Sequence, residues 1–344
     1  MTRPAPNRLA GLDALRGIAA AAVMLRHFTT DFHGLPGGHA PPGVSAAFPF
    51  GGHGVELFFI VSGFVIFMTL ERTQSLGDFL VARFARLYPA FLASLALTLA
   101  IDALAGGSAH SIAEIAANMT MMPEIFGVPG IDGSYWTLFY ELDFYLVAGL
   151  VFFLLRVRDP EVPCTIWLLA SMALRVPAMD FIPAQVSVFL SLGYSQLFVI
   201  GIVLYRIYSG YVTILTVALL IFWLPMTWVS WYWSVGGWTH PEYMLAIFLC
   251  AGMVWLATTP RVRIPVGAPF RFLGRISYPL YLVHQLIGSI LIARLEAAGL
   301  LPDLAVAGAI GVAILLAWGV SAWVEYPAQA WLRFQYRAWR DRRA

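Results

Sequence analysis

Apolar runs, broken at intervals by single charged or turn-forming residues, follow one another along nearly the whole chain. A helix needs roughly 17 to 25 apolar residues to cross a bilayer's hydrocarbon core. Ten stretches qualify as candidate spans: 10–30, 54–71, 80–101, 136–155, 163–177, 186–207, 211–229, 242–259, 277–297 and 303–324. The fifth is the shortest. The pattern predicts an all-α, polytopic transmembrane helix bundle of about ten spans, forming a single domain over 1–344 with a basic tail from about residue 328.

Charge orients this array. With the N-terminus inside, the inward loops hold Arg72, Arg83, Arg86, Arg156, Arg158, Arg206, Arg261, Arg263, Arg271 and Arg275. The tail adds Arg333, Arg337, Arg340, Arg342 and Arg343, whereas the outward loops 31–53, 102–135 and 230–241 hold no arginine. Positive loops stay in the cytoplasm, so both termini are expected there. The opening stretch has an n-region like that of a signal peptide, but Asp13 and Arg16 interrupt it and Arg26 and His27 follow directly. It reads as an uncleaved first membrane helix.

Composition agrees. Of 344 residues, 60% are hydrophobic and 12% charged, where a soluble domain carries about a quarter charged. All 21 basic residues are arginine, which excludes lysine chemistry. Cys164 and Cys250 lie in separate apolar runs without metal or disulfide spacing, and read as small buried hydrophobes. The Gly-, Pro- and His-rich segment 32–54 suggests an irregular uncharged cap over the outer mouth. The cluster at 228–238 reads first as an interfacial aromatic belt and second as a sugar-stacking platform.

The first span contains LRGIAAAAVMLRHF, with Arg16 and His27 eleven positions apart. On an α-helix that is about 1,100°, roughly 20° past three turns, with a rise of about 16 Å. The two side chains share a face, while Arg26 points away and snorkels. Ionisable groups inside a membrane generally face a cavity or a partner. The plain alternative is that Arg16 and His27 snorkel to opposite surfaces.

Other polar positions favour the cavity. Glu56 in GVELFFIVSGF and Glu141 in SYWTLFYELDFYL are expected at the depth of His27, with Asp143 on another face. A base and an orienting acid need such proximity. Toward the inner side, Arg83 and Arg86 in FLVARFARLYP share a face, near Arg16 and Arg275 in depth. Guanidinium forks suit phosphates. Tyr278, Tyr281 and His284 step along the ninth span in RISYPLYLVHQ; a binding or structural role outweighs that of a second base. Ser62 and Trp136 complete the supporting candidates, and Glu325 in VEYPAQ is expected to end the tenth span and partner a nearby arginine. A rival class is a proton-coupled transporter or flippase, in which His27, Glu56 and Glu141 relay protons.

Five ordered blocks carry a resemblance to a known family: Arg16 with His27, then GVELFFIVSGF, FLVARFARLYP, SYWTLFYELDFY and ISYPLYLVHQ. Together they resemble the integral-membrane acyltransferases of acyltransferase family 3, over about residues 8 to 327. Thr137 stands where a serine is common in the family, and the hydroxyl is kept. The chain resembles a standalone member without the SGNH-type esterase domain that some members carry. The resemblance implies an acyl-CoA donor, acetyl-CoA first among them, taken from the cytoplasm. It implies transfer to a hydroxyl on a glycan, glycolipid or other acceptor, by a protein of the bacterial cytoplasmic (inner) membrane. On this expectation His27 is the general base with Glu141 orienting it. Arg16, Arg83 and Arg86 receive the donor, and Glu56, Ser62, Trp136, Tyr278, Tyr281 and His284 support the site. No metal and no nucleic acid partner are implied, and the lipid bilayer and a homo-oligomer are the expected associations.

Overall fold

The computed structural model describes residues 9–32, 48–173, 193–225, 241–259, 262 and 265–342, and among them all regular structure is helical. In chain order the helices are α1 (Ala10–Arg26), α2 (Gly54–Arg72), α3 (Leu76–Ala105), α4 (Ile112–Met119), α5 (Trp136–Phe153), α6 (Glu161–Ala173), α7 (Ser195–Ser209), α8 (Ile214–Ala218), α9 (Pro241–Thr258), α10 (Ala268–Val283), α11 (Gln285–Ala297), α12 (Pro302–Val320) and α13 (Tyr326–Asp341). Single π-helical turns follow α1 (His27–Asp31), α8 (Leu219–Trp223) and α12 (Ser321–Glu325). The all-α class is as expected.

The span count is coarser. Four described helical stretches are long and apolar enough to cross a membrane: Phe50–Arg72, Leu76–Ala105, Trp136–Phe153 and Pro302–Asp341. A fifth arises if α10 and α11, bent by 74° at His284, count as one span. The other candidate spans fall on shorter helices or partly outside the described residues. Most of the 32–54 loop and the whole 228–238 cluster also lie outside them. From residue 328 the tail is not a loose extension: α13 continues the helical stretch from Pro302 to Asp341, about 60 Å at 1.5 Å per residue. None of its residues is buried.

The chain divides into two compact units. The first comprises 1–15, 56–80 and 140–265. Within it α2 and α7 cross at glycines: a Cβ on Gly63 would come within 2.1 Å of the Phe198 carbonyl oxygen, and one on Gly201 within 2.0 Å of the Ile60 oxygen. Beside the crossing Phe198 stacks on Phe144 at 4.2 Å and Phe144 lies parallel to Trp167. At one end of this unit, Arg206, 5% exposed, is held by Glu161 at 3.0 Å, with Asp159 and Glu71 near its other nitrogens. Thr216 donates to the same Glu161 oxygen at 2.9 Å. An arginine this deep is tolerated because its charge and donors are met.

The second unit comprises 16–55, 81–139 and 266–344. Here α1 meets α10 through Gly17, whose added Cβ would stand 2.6 Å from the Gly274 nitrogen and 2.7 Å from the Leu273 carbonyl carbon. The start of α2 meets α1 in the same manner, Gly54 against the Ala19 oxygen. Because backbone rather than a flexible side chain opposes Gly17, Gly17→Val forces the helices apart. We expect it to lower the apparent melting temperature of the detergent-purified protein by several degrees, a loss of at least about 1–3 kcal/mol for overpacking. A melting temperature equal to wild type would show that the crossing can relax.

Candidate active site

His27 stands where α1 gives way to its π turn, and His284 stands at the break between α10 and α11. A π turn inside a helix displaces the ladder by one residue and is frequent at functional sites. The two rings meet: His27 Nδ1 lies 2.8 Å from His284 Nε2, with the ring planes 6° apart. Gly17 and Gly274 lie ten residues before His27 and His284 respectively, so α1 and α10 run in the same direction and keep one offset over about 15 Å. Phe28 then packs against Gly288, where a Cβ would come within 2.2 Å of its ring.

Hydrogen-bonding logic fixes the protons. His284 Nδ1 lies 2.8 Å from the Tyr281 carbonyl oxygen and 3.2 Å from that of Leu280. Carbonyls only accept, so this nitrogen carries the hydrogen and, in a neutral ring, Nε2 is the acceptor. His27 must then donate from Nδ1, which leaves the lone pair on His27 Nε2. That atom faces Asp31 Oδ2 at 3.6 Å, and Arg26 Nε donates to both Asp31 oxygens at 3.2 Å. His284 is fully buried, whereas the His27 side chain is 19% exposed. The inner ring is a fixed acceptor and the outer one presents a reachable base.

A belt of hydroxyls holds α10 and the break. Tyr281 donates to the Ser134 carbonyl at 3.0 Å and accepts from Thr137 Oγ1 at 2.8 Å. Tyr135 donates to the Leu282 carbonyl at 3.2 Å. Asp132, 1% exposed, accepts from Ser134 and from the Leu286 N–H. Burial pushes its carboxyl above the usual range, against the pull of those bonds.

The arginines expected at the donor site gather in the same unit. Arg86 pairs with Glu325, which is fully buried in the π turn after α12. Its guanidinium lies over the Tyr278 ring at 5.5 Å, and Tyr278 donates to the Leu87 carbonyl at 3.2 Å. Ser321 and Gln329 also donate to Glu325. Arg16 and Arg83 stand within electrostatic reach of Arg86, and the buried Arg16 Nε has no hydrogen-bond partner among the described residues. The acid–arginine pairing expected of Glu325 is present, but the helix it was expected to end runs on through its π turn to Asp341. Arg86 itself is committed to that pair, a structural duty that its spacing from Arg83 does not disclose.

Glu141 was expected to orient the His27 imidazole. Within the first unit its carboxylate accepts from Ser62 Oγ at 2.9 Å and from the Tyr145 hydroxyl one turn on. Within the second unit the two ring nitrogens of His27 face His284 and Asp31. α10 brings a pre-set acceptor, His284 Nε2, to the His27 ring. Glu56 lies in the first unit within electrostatic reach of Tyr194 and Cys250, and Trp136 is 37% exposed at the start of α5. Sequence reasoning missed Asp31, although its position four residues after His27 was a usable signal. It also missed Asp132 and Ser134, for which no spacing rule points to His284.

Acyltransferase MdmB of Streptomyces mycarofaciens is 29% identical over 192 residues, covering 53% of this chain and 48% of its own length. Protein 2 in picA locus of Rhizobium radiobacter is 38% identical over 102 residues, covering 28% of this chain and 47% of its own. The chain thus spans about half the length of the curated relatives it matches. No solved structure matches it. The family profile described as "Acyltransferase domain" matches residues 9–322, a range that contains His27, His284 and all three clustered arginines. By that match the chain belongs to acyltransferase family 3.

Proposed function

We propose that the protein is a membrane-embedded O-acyltransferase that moves an acyl group, acetyl first among candidates, from cytoplasmic acyl-CoA to a hydroxyl of a glycan or glycolipid. The observation that carries the reading is the His27–His284 pair, whose proton arrangement leaves His27 Nε2 as a base. The acceptor hydroxyl gives its proton to His27 Nε2 as its oxygen attacks the thioester carbonyl. Asp31 and His284 stabilise the resulting imidazolium from the two sides of the ring. The C–S bond breaks and the proton passes to the departing CoA sulfur. Arg16 and Arg83 supply positive charge for the donor's phosphates, with Arg86 holding the wall they stand on. A bacterial cytoplasmic membrane fits this direction of transfer.

The test supplies purified protein in lipid vesicles with acetyl-labelled acetyl-CoA and an extract of host glycolipids and polysaccharides. Label appearing covalently on the extract supports transfer. Translocation of extract components without chemical change supports the transporter reading instead, which the break at His284 favours. Charge reversal at the donor site provides a further check. Arg83→Glu should weaken acetyl-CoA binding at least about tenfold, roughly 1.4 kcal/mol, measured by titration. Unchanged affinity removes Arg83 from the donor site.

A further inference from the structure

The short loop that leads into α5 reaches the helix break at His284. Both oxygens of Asp132 only accept hydrogen bonds: Oδ1 from the Ser134 N–H at 2.8 Å and its Oγ at 2.6 Å, Oδ2 from the Leu286 N–H at 2.9 Å. No neighbour in these contacts requires a proton from it, so all three bonds favour the ionised carboxylate and oppose the upward push of burial. Leu286 is the second residue of α11, and first-turn N–H groups have no partner within their own helix. Asp132 therefore caps α11 across the loop and sets a negative charge at the positive end of that helix. Ser134 Oγ also stands 3.3 Å from the Tyr281 carbonyl oxygen, the one that holds His284 Nδ1. His27 lies within electrostatic reach of Asp132, as it does of Asp31, Arg26 and His284.

We propose that Asp132 is a positioning residue of acyl transfer, which locks the helix break after His284 and supplies the buried negative charge that balances the imidazolium formed on the histidine pair. This rests on the acyl-transfer reading. Asp132 touches neither donor nor acceptor. In the step it serves, the hydroxyl proton moves to His27 Nε2 as the new C–O bond forms; the C–S bond then breaks and the same proton leaves on the thiol of CoA. Positive charge exists on the paired rings only between those events. A fixed charge in a water-excluded site acts on such a transient without reorganising.

Acetyl-CoA turnover by thiol release, in vesicles with the host extract as acceptor, tests this across wild type, Asp132→Asn, Asp132→Glu and His27→Ala. Asparagine keeps an acceptor for the Leu286 N–H and removes the charge. Asp132→Asn is expected to lose at least about tenfold in kcat with the KM for acetyl-CoA within about twofold of wild type, and Asp132→Glu to retain clearly more kcat than Asp132→Asn. An Asp132→Asn enzyme with wild-type kcat overturns the proposal. If asparagine also lowers the melting temperature, the glutamate variant decides: a kcat above that of Asp132→Asn supports the charge role, and one at or below it overturns that role. Wild type that releases no thiol in a His27-dependent manner sinks the acyl-transfer reading, and the assignment of Asp132 with it. A His27-dependent wild type with an unaffected Asp132→Asn sinks the assignment alone.

Discussion

His27→Ala is expected to reduce acyl transfer by about 10²- to 10⁴-fold, the range general-base catalysis supplies. The expectation follows from the proton arrangement rather than from the presence of a histidine. His284 offers only an acceptor to the pair, because the Tyr281 and Leu280 carbonyls hold its hydrogen on the other nitrogen. His27 Nε2 is then the one ring nitrogen of the pair with an open lone pair, and it belongs to the partly exposed ring. His284→Ala removes the acceptor and frees the His27 ring to turn and change tautomer, while leaving the base itself in place. Its loss should be smaller, about 10- to 100-fold, and confined to kcat. Initial rates with labelled acetyl-CoA measure both. A His27→Ala enzyme within tenfold of wild type would remove the imidazole from the mechanism, and a His284→Ala enzyme worse than His27→Ala would exchange their roles.

The largest expected effect on stability is that of Glu325→Gln. Glu325 is fully buried and meets Arg86, which has Arg16 and Arg83 as cationic neighbours. Removing one partner from a buried ion pair costs about 3–5 kcal/mol because the other charge is left without compensation. The neighbouring guanidiniums place this case toward the upper end. Thermal unfolding in detergent should show a markedly lower midpoint for Glu325→Gln. The double variant Arg86→Met with Glu325→Leu should recover most of that loss, since a well-packed apolar pair replaces the ions without stranding a charge. A midpoint unchanged in the single variant would mean that water reaches Arg86 in the native state.

What was legible in the sequence was what depends on one helix at a time. Periodicity alone puts Arg16 and His27 on one face of α1, and Arg83 and Arg86 on one face of α3. Hydropathy alone marks each apolar stretch. Partners from distant elements were largely not legible: an arginine was expected beside Glu325, but nothing along the chain named Arg86. Nothing in the spacing of Glu141 tells that its carboxylate accepts from Ser62 and Tyr145. The ninth candidate span looked continuous because an apolar window is blind to the hydrogen-bond ladder. Just after the 74° turn at His284, the Leu286 N–H donates to Asp132, in a loop about 150 residues earlier. Asp132 passed unnoticed for the same reason: its meaning lies in the helix start it caps, not in its neighbours along the chain.

The shared offset of the Gly17–Gly274 and His27–His284 contacts makes the pair of helices a vernier, with the glycines as its zero mark. One residue inserted into α1 between Gly17 and His27 would swing the imidazole by about 100° and carry it about 1.5 Å along the axis. Only a matching insertion in α10 between Gly274 and His284 restores the reading of the scale. The interval from each glycine to its histidine is thus fixed jointly in two helices far apart in the chain, and lengthening either one alone parts the two rings without altering a single side chain around them.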